Sequence, residues 1–265
     1  AGWNSFAKNR IEKKKLSRNH TENIIKKNTK SIKINGTSKK IIKIFGKNNL
    51  QPLKMDVPSD PSSAAFFTAL TLLNKDSKLI IKNVGLNPTR IGFYKLLKAQ
   101  GSHIKFKNLK NINKEVIGDI YVKSSKMKPI KASKKYYVNS TDEYPILFVI
   151  AALTNGISIF EGISDLANKE SNRIKEMQNI LRQIGIKSIA TKDKFKIFGK
   201  KDLNFRNRKI YVPNLGDHRI CMSSFILSIL TGVRANIKNF ETVFSSSPSF
   251  LKIMRKLGAS FEIQN

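Results

Sequence analysis

Three phrases in this chain close in the same way: LLKAQG at 96–101, ILRQIG at 180–185 and IMRKLG at 253–258. An amphipathic run that ends on Gly reads as a helix with its C-terminal stop. Strand-like residues follow each stop, in SHIKFKN, IKSIATKDKFKIFG and ASFEIQ. Upstream of each phrase lies a short β-branched run (KLIIKNV, GISIFEG, ANIKNF), and before that an apolar helix (SSAAFFTALTLL, YPILFVIAALTNG, ICMSSFILSILTG). An Asp stands before each apolar helix: Asp60, Asp142 and Asp217. Such self-similarity fixes the architecture more tightly than any local propensity. Residues 54–265 are expected to form an α/β (α+β) domain of three copies of helix, strand, helix and strands, with pseudo-threefold symmetry.

The chain ahead of that domain holds part of a similar unit. SRNHTENIIKKNTKSIKINGTSKKIIKIFG, residues 17–46, reads as loop, helix and strands. AGWNSF begins where the unit's opening helix would end, so residues 1–53 are expected to be a remnant of an N-terminal domain and the natural protein to extend upstream. QPLKMDVP at 51–58 is the expected crossover between the two domains. The first residues are neither a signal nor a transit peptide, and no apolar run reaches the ~18–20 residues of a membrane span. Cys221 is alone, which excludes a disulfide framework and any Cys-based metal site, and fits a cytoplasmic setting.

Charge is the one extreme in the composition: 50 Lys+Arg against 18 Asp+Glu, a net +32. A basic nucleic-acid-binding module is one reading of that excess. The lysines, however, are scattered beside Asn and Ile along the whole chain, as AT-biased codon usage would leave them. The phenylalanines sit inside apolar runs and form no stacking platform between basic residues. The expectation is therefore a surface field that attracts small anionic substrates, with no nucleic-acid or membrane partner.

Polar residues gather where helices start. Capping by Asp60, Ser62, Ser63 and Thr141 is one reading, each oxygen accepting from an orphan backbone N–H for about 0.5–2 kcal/mol. Capping does not account for Arg90, Lys169, Arg173 and Arg219, since a cation near a helix N-terminus opposes the dipole. Lys169 and Arg173 are also a like-charge i,i+4 pair. An anion held by helix N–H groups and cations together offsets both costs. A phosphate or carboxylate pocket bordered by Asp142, Glu170, Asp217 and His218 follows; the alternative for Glu170–Arg173 is a surface i,i+3 ion pair.

Six phrases, in order, resemble the 5-enolpyruvylshikimate-3-phosphate synthase family: SRNHTE for its SRDHTE, DVPSDPSSAAFF for DVPGDPSSAAFF, NVGLNPTR nearly unchanged, TDEYPIL for IDEYPIL, LANKESNR for LRVKESDR and GDHRICM for NDHRIAM. The resemblance implies two domains of three βαβαββ-type units each. It also implies transfer of the enolpyruvyl group of phosphoenolpyruvate to the 5-hydroxyl of shikimate 3-phosphate, with no metal or organic cofactor, in a protein that is monomeric at full length. Carried over by motif, Asp142 contacts the shikimate hydroxyls and acts as base, Glu170 shuttles the proton, and Lys169 pairs with substrate anions and with Asp142. Arg173 and Arg219 clamp phosphoenolpyruvate, Arg18 faces shikimate 3-phosphate, and Asp217 and His218 orient Arg219. The rest of the family's site lies on its N-terminal half, so this chain alone is expected to be inactive. A transferase of the same fold acting on a UDP-amino sugar is the alternative, against which the NPTR, KESNR and DHR phrases argue. The chain departs from the family pattern at Ala167, Asn172, Ser59, Thr29 and in SSSPS around Ser247.

Overall fold

The computed structural model describes residues 8–13, 17–28, 32–36, 40–45, 52 and 55–263. AGWNSF, Thr29 and most of the first half of the expected crossover lie outside them.

Strand β1 (Lys8–Lys13), helix α1 (His20–Asn28) and strands β2 (Ile32–Asn35) and β3 (Lys40–Phe45) open the chain. The strands form an antiparallel sheet in the order β1-β3-β2. The first repeat unit follows with α2 (Pro61–Leu73), β4 (Lys78–Gly85), α3 (Gly92–Ala99), β5 (Ile104–Ile112) and β6 (Glu115–Lys123). The second contains β7 (Lys131–Ala132), α4 (Tyr144–Ala152), β8 (Gly156–Glu161), α5 (Arg173–Gln183), β9 (Ser188–Ala190) and β10 (Lys194–Gly199). The third contains β11 (Lys209–Val212), α6 (His218–Thr231), β12 (Arg234–Ile237) and α7 (Phe250–Lys256).

The units agree in detail. In each, the backbone ahead of the apolar helix pairs in parallel with the strand behind it: Ser59 with Val84, β7 with β8, β11 with β12. Parallel pairing requires a crossover connection, and the apolar helix is that connection. In the first two units the remaining strands add antiparallel, in the orders β4-β6-β5 and β7-β8-β10-β9.

Helices α2, α4 and α6 pack against one another and form the centre of the molecule. A helix that is apolar all round has no face to give to water, and every residue of α4 is buried. Phe250 of α7 closes the ring of units, meeting Phe66 and Phe67 of α2 and Phe225 of α6 at centroid distances of 5.6–6.4 Å. The main apolar cluster holds none of the described residues before Ala64; Ile42 of β3 is buried apart from it. No helix among the described residues is long and apolar enough to cross a membrane.

The helix stops repeat to the level of single hydrogen bonds. Gly101, Gly185 and Gly258 take φ of +87°, +80° and +91°. The N–H of the next residue reaches back to Leu97, Leu181 and Met254 carbonyls at 3.1, 2.9 and 3.0 Å. These are three Schellman caps, which need a residue content with φ above zero at the turning position. The third unit departs afterwards. ASFEIQ, expected as a strand, pairs with nothing over the described residues 259–263. Phe261 instead packs on the Phe225 ring at 5.5 Å, with the Arg255 guanidinium over it at 4.7 Å.

Two glycines separate conformational from steric demand. A Cβ on Gly101 meets nothing within 4 Å, so Gly101→Ala costs only the left-handed conformation, about 1 kcal/mol. A Cβ on Gly199, at the end of β10, falls 2.0 Å from the Ala151 carbonyl oxygen and 2.1 Å from that of Thr154. Gly199→Ala is expected to destabilise several-fold more than Gly101→Ala in urea unfolding. Equal losses would mean that α4 yields freely at its C-terminal end.

Candidate active site

The starts of α4, α5 and α6 converge, and the three Asp residues ahead of the apolar helices have diverged in role. Asp60 caps α2, accepting from the Ser63 N–H at 2.8 Å. Asp217 caps α6, accepting from the N–H groups of Arg219 at 2.9 Å and Ile220 at 3.4 Å. Asp142 caps nothing. An extra 3-10 turn over Thr141–Glu143 precedes α4 and lifts the Asp142 carboxylate off the helix end. Thr141 and Ser62 do not cap either: Thr141 donates back to the Tyr137 carbonyl at 2.9 Å, and the Ser62 hydroxyl donates to Glu143.

Arg173 lies at the centre, 1% exposed. Its Nε donates to Asp217 Oδ2 at 2.9 Å and its Nη2 to Glu170 Oε2 at 2.5 Å and Asp217 Oδ1 at 3.3 Å. Nη1 has no hydrogen-bond partner among the described residues and stands 4.0 Å from Asp142 Oδ1. The Glu170–Arg173 pair is thus no surface ion pair, although the Glu170 side chain itself is 48% exposed. Asp217 is fully buried and also accepts from the Ser171 hydroxyl at 2.9 Å. Burial alone would raise its pKa, but the Arg173 hydrogen bond and charge outweigh that and hold it below the usual carboxylate range.

Asp142 faces Arg18, which ion-pairs with it from the loop ahead of α1. Burial again opposes ionisation, and the charges of Arg219 and Arg18 overcome it, so Asp142 titrates below its ordinary value. Arg219 makes no ion pair within 4 Å among the described residues and acts on Asp142 through its field. His218 is half-buried; burial and the Arg219 charge lower its pKa and keep the imidazole neutral at pH 7.

Two expectations for this site are corrected. Lys169 pairs with Asp165, Nζ to Oδ2 at 2.6 Å, rather than with Asp142, and Asp165 also accepts from the Tyr137 hydroxyl at 2.7 Å. Lys169 and Arg173 therefore each have a carboxylate of their own, which removes the like-charge cost. The Asp217 side chain orients Arg173; it touches Arg219 only through the backbone N–H. At the departure Asn172, the side chain accepts from the Lys175 N–H at 3.1 Å and caps α5 as an Asp would.

Glu143 and Ser171 were not expected here. Glu143 is 2% exposed, beside Asp142, and accepts from Ser62. Ser62 accepts in turn from Arg90 Nη2 at 2.8 Å, and the same nitrogen donates to Asp60 at 3.0 Å. Burial first, and the neighbouring Asp142 charge, push the Glu143 carboxyl up to about 7, against the lowering effects of Ser62, Arg219 and Arg90. The signal available in the sequence was the doublet of acids in TDEYP immediately ahead of an uninterrupted apolar run, where only one of them can face out.

A family model described as EPSP synthase (3-phosphoshikimate 1-carboxyvinyltransferase) matches residues 4–254. The 3-phosphoshikimate 1-carboxyvinyltransferase of Persephonella marina is 34% identical over 97% of this chain and 59% of that protein. The protein of the same name from Caldicellulosiruptor saccharolyticus is 38% identical over 96% of this chain and 58% of its own length. An EPSP synthase structure from Acinetobacter baumannii superposes with a TM-score of 0.84 at 30% identity, covering 98% of this chain and 59% of that one. The enolpyruvyl transferase NikO from Streptomyces tendae, at 15% identity and a TM-score of 0.66 over 87% of this chain and 50% of its own, shares the fold. The chain spans 59% of the length of the first of these relatives.

Glu143 gives the site a pH signature. Its folded pKa, about 7, lies above the ordinary carboxyl value of 4.5, so between those values the folded state binds the extra proton. The sign follows: the Glu143 contribution to stability falls as pH rises from 4.5 to 7 and is level above that. Glu143→Gln, which never ionises, is expected to gain stability over the native protein at pH 8 relative to pH 5, by up to ~3 kcal/mol. Parallel unfolding curves for the two proteins across that range would exclude a buried, raised carboxyl at this position.

Proposed function

Because this chain belongs to the EPSP synthase family, we propose that it supplies one wall of a site that transfers the enolpyruvyl group of phosphoenolpyruvate to the 5-hydroxyl of shikimate 3-phosphate and releases phosphate. The observation that carries the reading is Arg173 Nη1, a buried cationic donor with no hydrogen-bond partner among the described residues, between Asp142 and the Asp217 pair. An orphan charged donor costs more than a neutral one, and a substrate oxyanion satisfies it.

In this reading Arg173 and Arg219 hold phosphoenolpyruvate, and Arg18, Lys169 and Asp142 face shikimate 3-phosphate. Asp142 takes the proton of the attacking hydroxyl as its oxygen bonds to the central carbon of phosphoenolpyruvate. Glu170 supplies a proton to the methylene carbon, making it a methyl group, and recovers it as the bond from carbon to the phosphate oxygen breaks; phosphate leaves with the proton that Asp142 took. Asp142 is a weak base while Arg18 and Arg219 face it unopposed. Two bound anionic substrates neutralise those cations and raise its basicity when it is needed. Asp217 fixes Arg173 for this role, and neutral His218 lines the pocket beside Arg219.

The same reading assigns residues 1–53 to an N-terminal domain and 54–265 to the three-unit domain. It makes the full-length protein a cytoplasmic monomer working on two small anions.

Phosphate release from the two substrates, in a protein of full family length that carries this chain, tests the proposal. Glu170→Ala is expected to lower kcat at least ~100-fold with little change in folding; an unaltered kcat would remove Glu170 from proton transfer. Arg219→Ala should lower kcat/KM for phosphoenolpyruvate by ~100-fold or more, and a native value would take Arg219 out of the site.

A further inference from the structure

Two of the motifs on which the family resemblance rests, SRNHTE and NPTR, have further side chains that the reaction leaves unused. The structure locks these together. Asn87, 3% exposed, donates through Nδ2 to Asn19 Oδ1 at 2.9 Å and to Glu115 Oε2 at 2.9 Å. Its Oδ1 accepts from the Thr89 N–H at 2.9 Å and hydroxyl at 2.8 Å, which sets the amide orientation. Glu115, the first residue of β6, meets α1 through both oxygens: Oε1 accepts from Asn23 Nδ2 at 2.8 Å, and Oε2 lies 3.1 Å from His20 Nδ1. Asn23 Nδ2 also reaches the Lys114 carbonyl at 3.4 Å.

This polar knot joins α1 to the three-unit domain through named side-chain contacts. None of the described residues before Ala64 belongs to the main apolar cluster, and Asn, His and Glu side chains hold α1 against the three-unit domain. Arg18 immediately precedes Asn19, and it pairs with Asp142. The Arg18 backbone is fixed from the other side, where Lys13 Nζ donates to its carbonyl at 2.8 Å and ion-pairs with Glu22 of α1. The guanidinium has one short run of chain to hold it, anchored at both ends.

We infer that Glu115 and Asn87 are positioning residues: they clamp the N-terminus of α1 to the three-unit domain and so set Arg18 opposite Asp142. The inference rests on the proposed reading of Arg18 and Asp142 as substrate-facing groups. Glu115 has the leading part because its two oxygens meet Asn23 and His20 of α1 and Asn87 at once. A carboxylate with both oxygens accepting amide donors holds a fixed direction of approach, which a single neutral pair does not.

The test uses the full-length protein and has one readout that does not depend on turnover. Spin labels on Lys26→Cys of α1 and Lys175→Cys of α5 report the distance across the site; both positions are exposed, and native Cys221 is buried with its thiol pushed up to about 12. Glu115→Gln turns one acceptor into a donor aimed at an amide N–H, and the distance distribution is expected to broaden. KM for shikimate 3-phosphate should rise about tenfold with a smaller change in kcat. Adding Asn23→Asp reverses the polarity of the partner, so the double variant should regain the narrow distribution and the low KM. A narrow distribution and native KM in Glu115→Gln would overturn the clamp, as would a double variant no better than the single one. Broadening without a change in KM would overturn the link from the clamp to Arg18. Broadening and rescue in a protein that releases no phosphate would uphold the clamp and instead remove the proposed reaction.

Discussion

The buried Arg173–Asp217 pair is the constraint around which this molecule is arranged. Neither group is tolerable in the core alone, since an unpaired buried charge costs several kcal/mol. Asp217 is satisfied five times over, by Arg173 Nε and Nη2, the Ser171 hydroxyl and two N–H groups at the start of α6. Those bonds join α5 of the second unit to α6 of the third. The pair is thus both a helix cap and the seam between two units. The guanidinium it holds in place has a free edge directed at Asp142.

A repeated unit normally gives repeated sites, yet here equivalent positions do unlike things. Asp60 and Asp217 are spent on helix caps, and the 3-10 turn ahead of α4 exempts Asp142 from that duty. The deviation from symmetry is one turn of backbone, and it converts a structural residue into one with a lone carboxylate facing three arginines, Arg18, Arg173 and Arg219. The neighbouring Glu143, turned inward by the same bend, is forced into an apolar environment and becomes reluctant to ionise.

Much of the fold was legible because its signals are local and repeated. Apolar runs flanked by Asp and Gly mark the helices, and the three Gly stops fall where the chain takes positive φ. The strand expected from ASFEIQ was not legible as coil, since alternation signals a strand only when a partner is at hand. The clustering of Asp142, Glu170, Arg173 and Asp217 was foreseeable from cations at helix starts, which have no local justification. Which carboxylate meets which cation was not. Lys169 could reach Asp165 or Asp142, and the four-residue spacing on the surface decided for Asp165. The inward orientation of Glu143 and the bond of Ser171 to Asp217 depend on tertiary approach, and spacing along the chain carries no record of them.

The central placement of the three apolar helices leaves the sheets with one face toward water. Strand β5 is an edge strand, and on it Lys105, Lys107 and Lys110 are exposed; on the opposite edge, β4 exposes Lys78 and Lys82. An open strand edge is a template for another chain to add to, and lysines along it make that approach repulsive. Five of the 50 Lys+Arg of this chain thus stand on the margins of one sheet, where they make edge-to-edge pairing repulsive.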